Sequence, residues 1–303
     1  MSLLVTGSIG IDTVESPAGK VVDALGGSSI YFAYASSFFT PVRLVGVVGD
    51  DCTPDFLKPL HDNPNIDLGG LEVREGSKTF RWHGKYRDDI NERDTVSVDL
   101  NVLAEEGPTI PHAFCDSEYV FLANTHPDLQ LEMLSQLHGP KFVACDTMDL
   151  WIDTECESLM NLLAKVDAVI LNDAEAKQLT GETNVVKAGL ELGKVVKQYV
   201  VIKKGEHGSL LFADGDVYVT IGYPAEHVVD PTGAGDSFAG GLMGYLAAKD
   251  ASDVSAMRTA MAYGTAVASL ELEDFSLNRL IGLSRADIDE RLAKIAAIAG
   301  FDL

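Results

Sequence analysis

At 303 residues, with 46% hydrophobic and 8% aromatic residues, the chain is long enough to bury a substantial core. Its 23 Lys and Arg face 46 Asp and Glu, a formal charge of −23, which argues against nucleic acid and anionic membrane as partners and obliges any anionic ligand to find positive charge locally. No apolar run reaches the roughly 18 residues of a membrane span, and Met1 to Val5 carries no basic leader. Cys52, Cys115, Cys145 and Cys156 lack any CxxC or Cys/His spacing and read as buried reduced thiols of a cytoplasmic protein.

Leu3 to Thr6 reads as a buried strand ending in Gly7-Ser8-Ile9-Gly10-Ile11-Asp12. Val14 to Val22, broken by Pro17 and Gly19, is a polar–apolar excursion suited to a strand of a lid. Gly26-Gly27-Ser28-Ser29-Ile30-Tyr31 leads into an apolar helix from Phe32 to Phe39, and the glycine pair is either a hinge or a place of close approach. Val42 to Val48 is a second buried strand, followed by Gly49-Asp50-Asp51. Thr53 to Asp62 reads as a short helix with Thr53 as N-cap and Pro54 in its first position. Between Leu71 and Val102 the segments Glu72-Val73-Arg74, Lys78 to Tyr86 and Thr95 to Val98 alternate polar and apolar residues without intervening helices. With Val14 to Val22 they predict a small antiparallel sheet, a lid of residues 12–23 and 71–102 beside a core of 1–11, 24–70 and 103–303. Phe80, Trp82 and Tyr86 share one face at the strand period of two. That face either covers the ring of a sugar or nucleobase and excludes water, or forms a homodimer contact.

From Glu118 onward short apolar strands alternate with helices. Strands are expected at Tyr119–Ala123, Phe142–Cys145, Ala168–Leu171 and Tyr199–Ile202, and helices at Asp128–Leu137, Glu155–Val166, Asp173–Leu179 and Val185–Val196. The pattern predicts an α/β fold with a mainly parallel sheet covered by helices on both faces. Ligands of such sheets bind beyond the carboxyl ends of the strands. Asn172-Asp173-Ala174-Glu175 closes one strand and also suits a helix N-cap followed by first-turn acids, with Asp146 a further polar group after the preceding strand. Ile202-Lys203-Lys204-Gly205-Glu206-His207-Gly208 closes the next and opens a hairpin-like stretch to Gly222. Lys203 offers the local positive charge that an acidic protein needs; a type II turn joining hairpin strands is the competing account of the glycines.

The most informative stretch is Asp230-Pro231-Thr232-Gly233-Ala234-Gly235-Asp236-Ser237-Phe238-Ala239-Gly240-Gly241. Pro231 cannot extend a preceding strand, and Gly233 and Gly235 permit a turn into the helix predicted from Phe238 to Ala248. The unpaired amides of such a helix start, Gly233 to Asp236, suit a phosphate or a transferring phosphoryl group. Asp236 places a carboxylate where that anion would sit, which suits a general base taking the proton of an attacking hydroxyl. A second helix, Val254 to Leu270, and a last one opened by a Ser284/Asp287 capping box complete the chain.

The dodecapeptide resembles the C-terminal signature of the ribokinase-like (PfkB) carbohydrate kinases, with Pro231 as a variation in its second place, and the resemblance extends over nearly the whole chain. It implies transfer of the γ-phosphoryl group of ATP to a hydroxyl of a sugar or nucleoside, with Asp236 as base and Gly233, Ala234 and Gly235 in the anion hole. Asp12, Gly26 and Gly27 match residues that meet the acceptor, and carboxylates suit polyols because they accept two hydroxyl bonds at once. Tyr31, Phe80 and Trp82 join this acceptor set. Asn172 and Glu175 match the Asn-x-x-Glu that positions magnesium, and Lys203, Gly205, Gly208 and Thr232 fall in the nucleotide-binding segments. A monovalent cation is a further cofactor the resemblance brings. Ribokinases proper have Lys and Asn where this chain has Ser28 and Tyr31, so the acceptor is not identified as ribose. Met261 replaces an Asn near adenine and implies a more apolar base pocket. A catalytically silent ligand-binding member is the alternative from another class; an NAD-type oxidoreductase lacks its fingerprint, because no G-x-G-x-x-G follows the first strand.

Overall fold

The computed structural model describes residues 1–300. Thirteen strands form two sheets: β1 (Leu3–Thr6), β2 (Gly10–Ser16), β3 (Gly19–Gly26), β4 (Val42–Gly49), β5 (Ile66–Arg74), β6 (Phe80–Tyr86), β7 (Arg93–Asp99), β8 (Tyr119–Leu122), β9 (Phe142–Cys145), β10 (Ala168–Asn172), β11 (Tyr199–Lys203), β12 (Ser209–Ala213) and β13 (Asp216–Thr220). Nine of them make the large sheet, in the order β13-β12-β11-β10-β9-β8-β1-β4-β5. From β11 to β5 every pairing is parallel, while β12 and β13 add an antiparallel hairpin at one edge.

The short central strands are apolar on both faces because helices cover both. Leu3 and Val5 of β1, with Tyr119 and Phe121 of β8, pack toward the helices Ser28–Ser37, Ala234–Lys249 and Val254–Glu271. Leu4, Val120 and Leu122 point the other way, toward Pro127–Ser135, Cys156–Leu163 and Val185–Leu192. Phe32 stacks on Phe121 with ring centroids 4.4 Å apart, which locks the first helix onto the sheet centre.

The small sheet has the order β3-β2-β6-β7. It consists of two antiparallel hairpins joined by a parallel β2–β6 pairing that polar–apolar alternation had no means of specifying. Glu72-Val73-Arg74, expected in this lid, instead end β5 and pair with β4 in the large sheet. An edge strand is covered on one side only, so it alternates just as a lid strand does.

Two helices differ from expectation. The stretch Thr53 to Asp62 is helical only over Lys58–His61, with Thr53 closing a preceding turn through Phe56. Pro59 explains the break, since it has no amide to continue the ladder and its ring crowds the carbonyl four residues back. The predicted helix Glu155–Val166 is Cys156–Leu163, and a short helix that the sequence reading lacked, Asp149–Thr154, precedes it. Cys156 is accordingly exposed at a helix start, whereas Cys52, Cys115 and Cys145 are buried. No helix among the described residues is long and apolar enough to cross a membrane.

Candidate active site

The strand order decides which polar residues meet. β11 and β10 end side by side, in register, at Lys203 and Asn172. Asp146 follows the end of β9, Asn124 follows β8 and Ser8 follows β1, so these residues lie along one edge of the sheet. They line a cavity of about 820 Å³ together with Asp12, Gly27, Phe80, Trp82 and Tyr86 on the lid side and Pro231, Thr232, Gly233, Gly235 and Asp236.

The glycine-rich turn is built for backbone donors. Asp230, fully buried, accepts from the Thr232 amide at 2.9 Å and holds the start of the turn. Gly233 caps the helix Ala234–Lys249 at φ 86°, a left-handed conformation that glycine adopts without strain. A Cβ there would also overlap the ring of Tyr31. The Ala234 amide is taken by the Pro231 carbonyl at 3.2 Å, and Ser237 begins the helical ladder on Gly233 at 2.7 Å. The amides of Gly235 and Asp236 therefore have no backbone acceptor among the described residues, at the positive end of a 16-residue helix. Ala234, expected among the free donors, is not one of them. Lys203 Nζ lies only 2.6 Å from where a Cβ on Gly235 would stand, so its ammonium crosses the same nest.

Carboxyl groups crowd this end of the cavity. Asp236 keeps one side on the cavity, yet the protein packed around it desolvates it and pushes its carboxyl up to about 6, against the opposing charge of Lys203. Asp146 faces it, and burial with the neighbouring Asp236 charge holds Asp146 well above the usual carboxylate range; its Oδ1 has no partner among the described residues. Burial, then the charge of Asp230, raises Asp12 to about 7. Asp12 is 4% exposed, lies over the Gly26 backbone where no Cβ would fit, and leaves its Oδ1 without a partner among the described residues, beside the cavity. A buried, unsatisfied carboxylate oxygen next to open space is a place for ligand hydroxyls. Deeper in, Glu271 has no solvent exposure and, among the described residues, no partner for either oxygen, and burial holds its carboxyl well above its ordinary range.

Most of the residues singled out from sequence converge here. Asp12, Gly27, Tyr31, Phe80, Trp82, Asn172, Glu175, Lys203, Thr232, Gly233, Gly235 and Asp236 all border the one cavity. Tyr31 is only 2% exposed and acts chiefly as a floor beneath Gly233. Asn172 and Glu175 form a capping box, each side chain accepting from the other's amide at 2.8 Å. Gly205 opens a 3-10 turn and Gly208, at φ 81°, packs against the Thr220 carbonyl; neither borders the cavity. Met261 is fully buried in the core on the sheet side of Val254–Glu271, so it lines no base pocket there. Sequence reading passed over Arg93, Asn124, Thr147 and Ser8, which also border the cavity. The strand-end rule could have found the last three, but nothing local marks Arg93.

The comparisons with known proteins agree with this geometry. The model of the pfkB family carbohydrate kinases matches residues 12–279. A cytidine kinase of Thermococcus kodakarensis is 30% identical over 252 residues, covering 81% of this chain and 88% of that protein. The nucleoside kinase of Burkholderia thailandensis in complex with inosine superposes with a TM-score of 0.77 at 20% identity, over 99% of this chain and 100% of that one. Aminoimidazole riboside kinase from Salmonella enterica, complexed with aminoimidazole riboside and an ATP analog, gives 0.77 at 17% identity, over 96% and 100%. The chain therefore belongs to the PfkB family of carbohydrate kinases, and is an ATP-dependent phosphotransferase acting on a hydroxyl of a sugar or nucleoside.

Proposed function

We propose that the acceptor is a nucleoside and that Asp236 is the general base. The observation that carries this reading is the joining, in one cavity, of Asp236 and the free Gly235 and Asp236 amides with the unpartnered oxygen of Asp12. Asp12 and the Gly27 segment would hold ribose hydroxyls, and Phe80 and Trp82 supply aromatic faces on which a base can rest. A cavity of about 820 Å³ has room for a base besides a sugar. The similarity to a cytidine kinase supports the same choice.

In the reaction the acceptor O–H gives its proton to Asp236 while its oxygen bonds to the γ-phosphorus of ATP. The bond from that phosphorus to the β–γ bridging oxygen breaks, and ADP leaves with the electron pair. The Gly235 and Asp236 amides and the Lys203 ammonium stabilise charge on the phosphoryl oxygens. The lid keeps water, a competing acceptor, out of the cavity. Magnesium would be held through Asp146 and the outer oxygen of Glu175, an all-oxygen donor set fitting a hard cation that keeps much of its water; when bound it neutralises phosphate charge. The monovalent cation, a cytoplasmic location and a homodimer through the lid belong to the same proposal. Exposed Val22, Val96 and Val98 on the lid strands support the dimer.

The test is an ADP-release assay over nucleosides, free pentoses and hexoses, repeated with potassium replaced by choline. Turnover with nucleosides well above that with free sugars is expected. Turnover confined to free sugars refutes the nucleoside acceptor, and no turnover with any acceptor refutes the kinase chemistry.

A further inference from the structure

Arg93 opens β7 directly opposite Tyr86 of β6, and both border the cavity. In this acidic chain its neighbour Arg87 is neutralised by Glu92 and Asp94, whereas Arg93 makes no ion pair among the described residues. Its guanidinium lies 5.4 Å from the ring centroid of Trp82, which steadies it without consuming its charge. Two contacts carry this end of the lid onto the phosphate side of the site. The Tyr86 hydroxyl and Thr232 Oγ1 are 3.0 Å apart, and Asn91 at the hairpin tip donates to Glu206 of the Gly205–His207 turn at 3.2 Å. Arg93 borders the same cavity as Asp236 and Glu175, close enough for its charge to act on both. Of the cations that line the cavity with Asp12, Asp146, Glu175 and Asp236, Arg87 is already paired, and Lys203 and Arg93 are without an ion pair among the described residues, so both can meet an arriving triphosphate.

We propose that Arg93 is a catalytic residue of the lid that contacts the γ-phosphoryl group of ATP, so that the hairpin β6–β7 completes the phosphate site as well as covering the acceptor. This rests on the phosphoryl-transfer geometry proposed above and changes none of its bonds. The planar fork of arginine suits the equatorial oxygens of the transferring group, whose charge it meets as the bridging bond breaks. ADP, which lacks that group, would not meet Arg93 at all.

The experiment compares the wild-type chain with Arg93→Gln and Arg93→Lys. Calorimetry measures binding of a non-hydrolysable ATP analogue and of ADP, each with magnesium, and steady-state assays follow turnover. Arg93→Gln is expected to weaken the analogue about tenfold and leave ADP unchanged, with turnover down about 10²-fold or more and acceptor KM little moved. Arg93→Lys, which keeps the charge but not the fork, should recover part of both losses. Equal weakening of analogue and ADP, or no weakening of either, overturns the assignment. Arg93 is exposed, so these variants should keep the fold. The binding comparison reads Arg93 even in a chain that transfers to none of the acceptors, which separates its failure from that of the proposed function.

Discussion

Replacing Asp236 with Asn should make the protein more stable and nearly inactive. The carboxyl rises from 3.8 to about 6, chiefly through burial, which corresponds to about 3 kcal/mol against the ionised form. The cavity side of the group sees solvent, which reduces the effect to about 1–2 kcal/mol. Because the folded pKa lies above the unfolded one, the native state holds the proton more tightly. The penalty is therefore absent below about pH 4 and develops in full as pH rises through about 6. Asn is close in shape and carries no charge, so at pH 8 the variant should melt about 2–3 °C higher than wild type, with the gap closing near pH 4. Turnover should fall about 10²–10⁴-fold, the usual worth of a general base, while calorimetric nucleotide binding stays the same. Near-full phosphoryl transfer by Asp236→Asn, or a lower melting temperature at pH 8, would refute the reasoning.

Three further outcomes follow from the same site. If both Asp12, near 7, and Asp236, near 6, must be ionised, log(kcat/KM) should fall with a slope of one between about pH 7 and 6 and two below; Asp12→Asn should leave a single slope. A pH–rate profile with one slope throughout in the wild type would contradict it. Gly233→Ala places a side chain at φ 86° against the Tyr31 ring and should cost about 2–3 kcal/mol in urea unfolding as well as activity. Gly235→Ala meets only the flexible end of Lys203, so stability should hold or rise by up to about 1 kcal/mol while turnover falls about tenfold; equal losses of stability in the two variants would tell against the nest geometry.

The glycine-rich turn was legible because its chemistry is local. Pro231, Gly233 and Asp236 each act within a few residues, through a fixed φ, a left-handed cap and a carboxylate at a helix start. The short apolar strands were legible for a similar reason, since a strand covered on both faces must be apolar throughout. Where one local pattern served two structures, the reading divided. Glu72 to Arg74 alternate equally well as a lid strand or a sheet edge, and Asn172 with Glu175 suits a capping box as well as a cation site. Met261 was placed near adenine by its position relative to a motif, but the side of its helix that meets the sheet is set by packing and buries it completely.

By itself the sequence determined the element types, the parallel core and the turn that ends in Asp236, because period, turn chemistry and capping act over a few residues. Only the tertiary structure decided that Asp146 confronts Asp236, that Lys203 lies across Gly235, that Ala234 spends its amide on Pro231 and that Arg93 enters the cavity from the lid. Those relations depend on strand order and on the docking of one sheet over another. Residues tens of positions apart meet there through burial energy summed over the whole core, which no short window of the chain records.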